Sequence, residues 1–243
     1  MSTNKNKAKN LQKIKDFIAD NKFAIIFTVL VVLFLSGMIW LSNLQKIDLS
    51  NIDISKEISS SKNSGDISEH IYHKNNSKVT LVEYGDFQCP GCKTAASRIK
   101  SIAEEYKDKV NVIFRNFPLV TIHPNALAAA SVAEAAGLQG KYWEMHDLLY
   151  DKQDEWTAST ASERMEYFTE YAKELNLNID QFKKDIESDK VKAKIKFDQA
   201  VGSKAKVTGT PSFKLNGKDL SSDIWGDDAK LKSALDEAIK NQK

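Results

Sequence analysis

An uncharged run of nineteen residues, FAIIFTVLVVLFLSGMIWL at positions 23–41, most constrains what this chain can become. It holds no proline, and as a helix it would rise about 28 Å, close to the hydrocarbon core of a bilayer. A secretory signal has a shorter apolar region, of roughly 7 to 15 residues, and a small-residue cleavage site. Here the run is longer and SNLQK follows. The run predicts an uncleaved transmembrane anchor at 23–41 rather than a buried core helix. Residues 1–22 carry six lysines against Asp16 and Asp20, a balance of +4. Such a basic tail is expected to stay in the cytoplasm, which places the body of the chain outside it. The whole chain is +2, so the remainder is −2 and offers no electrostatic case for nucleic acid.

Residues 42–66, SNLQKIDLSNIDISKEISSSKNSGD, are rich in Ser, Asn, Asp and Lys, and read as a flexible linker with a reach of about 28 Å. The stretch HIYH (70–73) suits a short edge strand. KVTLVEYGDF (78–87) opens with β-branched residues and runs almost continuously apolar, as a central strand does. After it, Ala95, Ile99, Ile102 and Tyr106 recur at helical spacing, and KVNVIFRNFPL (109–119) is the next strand. Strand, helix and strand in that order predict a parallel βαβ pair. A helical block follows at about 122–203. Its first helix is expected to end at Gly137, and Thr160 with Glu163 forms a capping-box pattern. Asn178 or Asp180, and then Ser188, are further candidate caps. Asn216-Gly217 predicts a tight hairpin turn, and an amphipathic helix closes the chain.

The chain has two cysteines, Cys89 and Cys92, three positions apart where the first strand gives way to the helix. Pro90 falls at the first helical position, which proline favours. A thiolate at Cys89 would face the free N–H groups and positive end of the helix dipole, which lower its pKa and make it the nucleophile. Cys92, one turn further on, is placed to close a disulfide with it or to attack a mixed disulfide on it. Other readings are a structural disulfide, a zinc site completed by His70 and His73, and two inert thiols. The small loop and the absence of a second C-x-x-C weigh against the first two, and the strand–C-x-x-C–helix context favours redox chemistry. Glu83 lies within the apolar strand, either buried with a raised pKa or facing water. Asp86 is a candidate like charge opposing the Cys89 thiolate. His123 reads as a helix cap, His146 as part of a packed helix interface, and Trp143, Tyr150 and Trp156 as core or groove lining.

The combination of VEYGDFQCPGC, GTPSF some 120 residues later and a helical block between them resembles the DsbA-like branch of the thioredoxin superfamily. The similarity runs over about residues 68–241 and is strongest to membrane-tethered bacterial members with a DFQCPxC motif. It implies an α/β, thioredoxin-like fold at 67–243 with an inserted helical subdomain, preceded by the transmembrane helix. By the same resemblance Cys89 is the exposed nucleophile and Cys92 its buried partner. Pro211 matches the cis-proline facing the redox pair, Thr210 the residue whose backbone pairs with substrate, and Glu83 a buried acid serving the inner cysteine. The implied activity is extracytoplasmic thiol–disulfide exchange that introduces disulfides into reduced exported proteins. It needs no cofactor and no metal, and a separate membrane oxidase must restore the pair. Pro90-Gly91 departs from the Pro-His of the founding member, and with Asp86 it points to a milder oxidant. The rival readings are a reductase or isomerase, and a tethered holdase-type binding module.

Overall fold

The computed structural model describes residues 13, 20–44 and 47–241, with side chains undescribed from 39 to 44. Most of the expected basic tail therefore lies outside the described residues. The chain divides between Asp48 and Leu49 into two units. The first contains helix α1, Lys22–Leu44, whose described apolar side chains, Phe27 and Leu33 among them, are exposed. Its described side chains stop at Met38. Over residues so described, no helix is long and apolar enough to cross a membrane.

In the second unit the central strand is β2, Thr80–Gly85, every residue of which is buried. It pairs in parallel with β3, Asn111–Asn116, through the crossover helix α2, Pro90–Glu105. A short edge strand β1, His70–Ile71, runs antiparallel to β3. On the other side β4, Ser212–Leu215, and β5, Lys218–Leu220, form an antiparallel hairpin, giving the order β1-β3-β2-β4-β5. Asn216 and Gly217 both take positive φ, 49° and 80°, the backbone a type I′ turn requires. Between β3 and β4 stand six helices: α3 (Ala126–Gly137), α4 (Tyr142–Asp151), α5 (Gln153–Trp156), α6 (Ala161–Glu174), α7 (Ile179–Ile186) and α8 (Asp189–Lys204). Two more, α9 (Ser222–Trp225) and α10 (Asp228–Lys240), close the chain. Thr160, Asn178 and Ser188 cap α6, α7 and α8 by accepting from the N–H three residues on. Helix α3 does end at Gly137, which is its last helical residue, and the positive φ, 75°, falls at Gly140 beyond it.

Two apolar clusters flank the sheet. One joins Met145, Leu149, Trp156 and Phe168 of the helical block to Phe87 and Phe114, and includes both cysteines. The other packs Ile99 and Ile102 of α2 and Leu231 and Leu235 of α10 onto Leu81, Val112 and Phe213.

The flexible linker expected at 42–66 is corrected by the structure from Leu49 onward. Arg115, on β3, is wholly buried and must find acceptors for its guanidinium. It donates to Glu69 Oε1, to Tyr84 Oη at 2.9 Å, and to the carbonyls of Ile54 (3.3 Å) and Lys56 (3.1 Å). Lys204 Nζ donates to the carbonyls of Leu49 and Ile52, and Ile58 is buried. Composition marked this stretch as polar, but its backbone carbonyls are what the buried Arg115 requires and what the exposed Lys204 also uses.

Candidate active site

Strand β2 ends at Gly85, and the chain turns through Asp86, Phe87 and Gln88 into Cys89, the N-cap of α2. Gly85 is required here, because a Cβ would stand 2.3 Å from the Phe114 ring. Cys89 has extended backbone angles (φ −73°, ψ 124°), and Pro90 follows at the helix start. Its Sγ is 3.3 Å from the carbonyl oxygen of Thr210, to which the thiol donates. The Thr210-Pro211 bond is cis. Gly91 lies against the proline, since a Cβ there would be 3.1 Å from Pro211 Cδ and 3.6 Å from Cys89 Sγ. Cys89, Cys92, Thr210 and Pro211 are therefore one cluster, drawn from positions more than 100 residues apart in sequence.

The two thiols, both free, differ sharply in electrostatics. Cys89 is lowered from 9.0 to about 5. The chief cause is the hydrogen bond from the Cys92 thiol, opposed by partial burial and helped by the Cys92 N–H, Thr210 and the Gly91 N–H. Gly91 thus contributes a backbone donor where it has no side chain. Cys92, fully buried, is pushed well above its ordinary value by burial, by its hydrogen bond to Cys89 and by Glu83. The Asp86 N–H, 3.5 Å from Cys92 Sγ, works the other way.

Glu83 is 3% exposed, which settles the two readings of it in favour of burial. Its carboxyl is raised from 4.5 to about 8, first by burial and then by the charge of Cys89. Its Oε1 has no hydrogen-bond partner among the described residues. Asp86 does not act as the opposing charge the sequence suggested. Its carboxylate accepts from Gln88 N at 2.7 Å, Leu119 N at 2.8 Å and lies 2.8 Å from His123 Nδ1. His123 is thus held by Asp86, and Asn125 stands at the N-cap of α3 instead. His70 and His73 bind Glu134 and Glu104, apart from the cysteines. His146 is buried among Phe87, Phe114, Trp143 and Tyr150.

Several residues that the sequence did not single out hold the redox loop. Gln153 Nε2 donates to the carbonyls of Phe87 (2.8 Å) and Cys89 (3.0 Å). Gln88 Nε2 donates to Thr157 O at 2.9 Å, and its Oε1 accepts from Asn125 N at 2.7 Å. The helical block is in this way bolted to the loop that carries Cys89. No spacing rule relates glutamines 65 positions apart, so only the fold could reveal them.

The comparisons with known proteins follow the same outline. A family model described as thioredoxin matches residues 66–240. A probable disulfide bond formation protein D of Bacillus anthracis is 33% identical over 170 residues, 69% of this chain and 76% of that protein. The Na(+)/H(+) antiporter NhaA 3 of Salinispora tropica is 36% identical over 150 residues, 62% of this chain, but the chain spans only 22% of that relative's length. A solved thioredoxin-like oxidoreductase from Silicibacter pomeroyi is 26% identical with a TM-score of 0.59, over 71% of this chain and 92% of that one. The oxidised BdbD of Bacillus subtilis has the same fold at a TM-score of 0.62 and 21% identity, over 76% and 100%. With the family match running from just before β1 to the last turn of α10, the thioredoxin-like α/β fold is established, and this chain belongs to the thioredoxin family.

Proposed function

We propose that this chain is a membrane-anchored, extracytoplasmic thiol–disulfide oxidoreductase of the DsbA type that introduces disulfides into exported proteins. The observation that carries the reading is the split between the two thiols, Cys89 at about 5 and Cys92 well above 9. A low-pKa cysteine stabilises the reduced form of the pair and makes its disulfide an oxidant. A substrate thiolate attacks Cys89 Sγ of the oxidised pair, and Cys92 leaves and takes a proton from Glu83. A second substrate thiol then attacks the substrate sulfur of the mixed disulfide, and Cys89 leaves as a stable thiolate. The substrate has lost two electrons and gained a disulfide, and the chain has become the dithiol. Thr210 and Pro211 form the wall against which an extended substrate is held. The low value at Cys89, reached without an imidazole beside it, favours an oxidase over a reductase or isomerase. Reoxidation falls to a membrane oxidase. The anchor reading is supported by the uncharged run 23–41 and the helix Lys22–Leu44, and the extracytoplasmic reading by the lysines before them.

One experiment tests location and direction together. Intact cells are treated with a membrane-impermeant maleimide, with and without prior addition of a reductant. Cys89 is expected to stay unlabelled until the reductant is added. Labelling only after lysis would overturn the topology, and full labelling without reductant would reassign the chain as a reductase or isomerase.

A further inference from the structure

A buried acid that has given its proton to Cys92 recovers one from that thiol when it next ionises, or from solvent by a path that does not pass through the thiol. Glu83 borders a space whose lining residues include neither Cys89 nor Cys92. The space is a cavity of ≈ 10 Å³, about the room one water molecule needs. His146 lines the same cavity, with Tyr72, Lys100 and Trp143 toward the outside. These last three also border an open surface groove that Asp147 shares. The cavity thus stands between the carboxyl and the solvent.

Hydrogen bonds continue the path. His146 Nδ1 is 3.0 Å from Asp147 Oδ1, and Asp147 Oδ2 accepts from the exposed Lys100 Nζ. With Nδ1 given to Asp147, Nε2 is the ring nitrogen left for the cavity, where Glu83 Oε1 has no partner among the described residues. Helix α4 produces the arrangement by its period, since Tyr142, His146 and Tyr150 recur at every fourth position on one face. Aromatic rings pack around the imidazole with centroids 4.9–6.4 Å away, Phe114 and Tyr142 marking the two limits.

We infer that His146 is a positioning residue for thiol–disulfide exchange, carrying the proton of Glu83 between a water in this cavity and Asp147 at the surface. The inference rests on the function proposed above and adds a component to it. When Cys92 must become a thiolate, its proton goes to Glu83, and the carboxyl passes one through the water to Nε2. The Nδ1 proton leaves to Asp147 and solvent, and when Cys92 must be protonated the sequence reverses. No electron moves in this relay. Burial lowers the His146 pKa below its ordinary 6.5, with Asp147 opposing that and with His70 on β1 and Lys100 on α2 adding to it. A neutral ring beside a carboxylate is a ready acceptor. Glu83 on β2 and the phenols of Tyr72, Tyr142 and Tyr150 are the other titratable groups nearby.

The test is stopped-flow release of a peptide thiol from its mixed disulfide with Cys89, driven by Cys92, over pH 6–9. His146→Gln and Asp147→Asn are each expected to slow release about tenfold, within the range of positioned acid–base groups. A relay changes rates and not equilibria, so the Cys89–Cys92 redox equilibrium and the pH midpoint contributed by Glu83 should stay at the parental values. Parental release rates in a natively folded His146→Gln overturn the inference, as does an equal shift in the redox equilibrium, which would make the role purely electrostatic. If His146→Gln does not fold, Asp147→Asn decides: slowing supports the relay, and a parental rate overturns it. Failure of the parent to form a mixed disulfide at Cys89 removes the function itself, and the relay with it. Formation without the variant effect removes only the relay.

Discussion

Arg115 and Glu83 stand on neighbouring strands, both shut away from solvent, and their surroundings treat them in opposite ways. Arg115 has a carboxylate, a phenol and two carbonyls arranged around its guanidinium. Burial works against its charge, and Glu69 and Tyr84 more than offset that. A second buried set lies nearby, where Lys194 pairs with Asp198 at 2.6 Å and Asn116 links Asp198 to Glu134 and so to His70. Glu83 makes no ion pair among the described residues, and the charge that acts on it is that of Cys89. The first region spends its polar groups on holding the segment from Leu49 against the sheet. The second leaves a carboxyl to shuttle protons, because a carboxyl locked in an ion pair stays ionised and cannot accept one near neutral pH.

That contrast can be broken most forcefully at Arg115. Arg115→Met leaves Glu69 buried without a counter-charge and the Ile54 and Lys56 carbonyls without a donor. The expected loss is about 3–5 kcal/mol, a fall in melting temperature of roughly 6–20 °C for a domain of this size. Alkylation of Cys89 in the folded variant should keep its parental pH dependence. Calorimetry showing no more than a degree or two of change would mean that the strap is not held by this cation.

A smaller effect is expected at the cysteines. Cys89 is depressed in the folded dithiol, so its contribution to the stability of the reduced form is full above the ordinary value of 9.0 and fades as pH falls through about 5. The reduced protein should melt several degrees above the oxidised one near pH 8, with the gap closing toward pH 4. Paired calorimetry of the two forms measures it. A more stable oxidised form at pH 8 would contradict the oxidant reading.

Glu83→Gln gives the most pointed change in stability, because it is confined to the upper pH range. The folded carboxyl keeps its proton up to about 8, while in the unfolded chain it ionises near 4.5. Its contribution is therefore intact below the lower value and lost as pH rises through the upper one. Glutamine removes that loss, so the variant should match the parent at pH 4 and melt above it at pH 8. Release from the mixed disulfide should slow about a hundredfold. A variant equally fast, or less stable at pH 8, would place Glu83 with the structural charges.

Much of the site could be read along the chain, because its parts are set by local rules. Cys89 follows a strand and Pro90 opens a helix, and those two facts place one thiol at the dipole and the other a turn inside. Glu83 lies within an apolar strand, which predicts burial. Asp86 shows the limit of that method: its distance from Cys89 in sequence suggested repulsion, whereas its carboxylate is engaged by His123 and two loop N–H groups. His123 lies 37 positions away, and nothing in the sequence says which face of its loop it shows. Residues 49–66 failed for a related reason. Most of their side chains are polar, and apart from the buried Ile58 the contacts that hold them use backbone carbonyls, which every residue has and no composition records.

The sequence by itself determined the elements and their order, since hydrophobic period, caps and turn residues act over a few positions. It determined the redox pair as well, since both thiols lie within one helical turn. The tertiary structure decided what faces that pair. It set Thr210 and Pro211 against Cys89, bolted Gln153 to the redox loop, closed His146 over the cavity of Glu83 and laid the segment from Leu49 across Arg115. Those contacts join groups tens of residues apart. Burial, which makes an unpartnered charge expensive and a partnered one stable, exists only once the chain has closed around them.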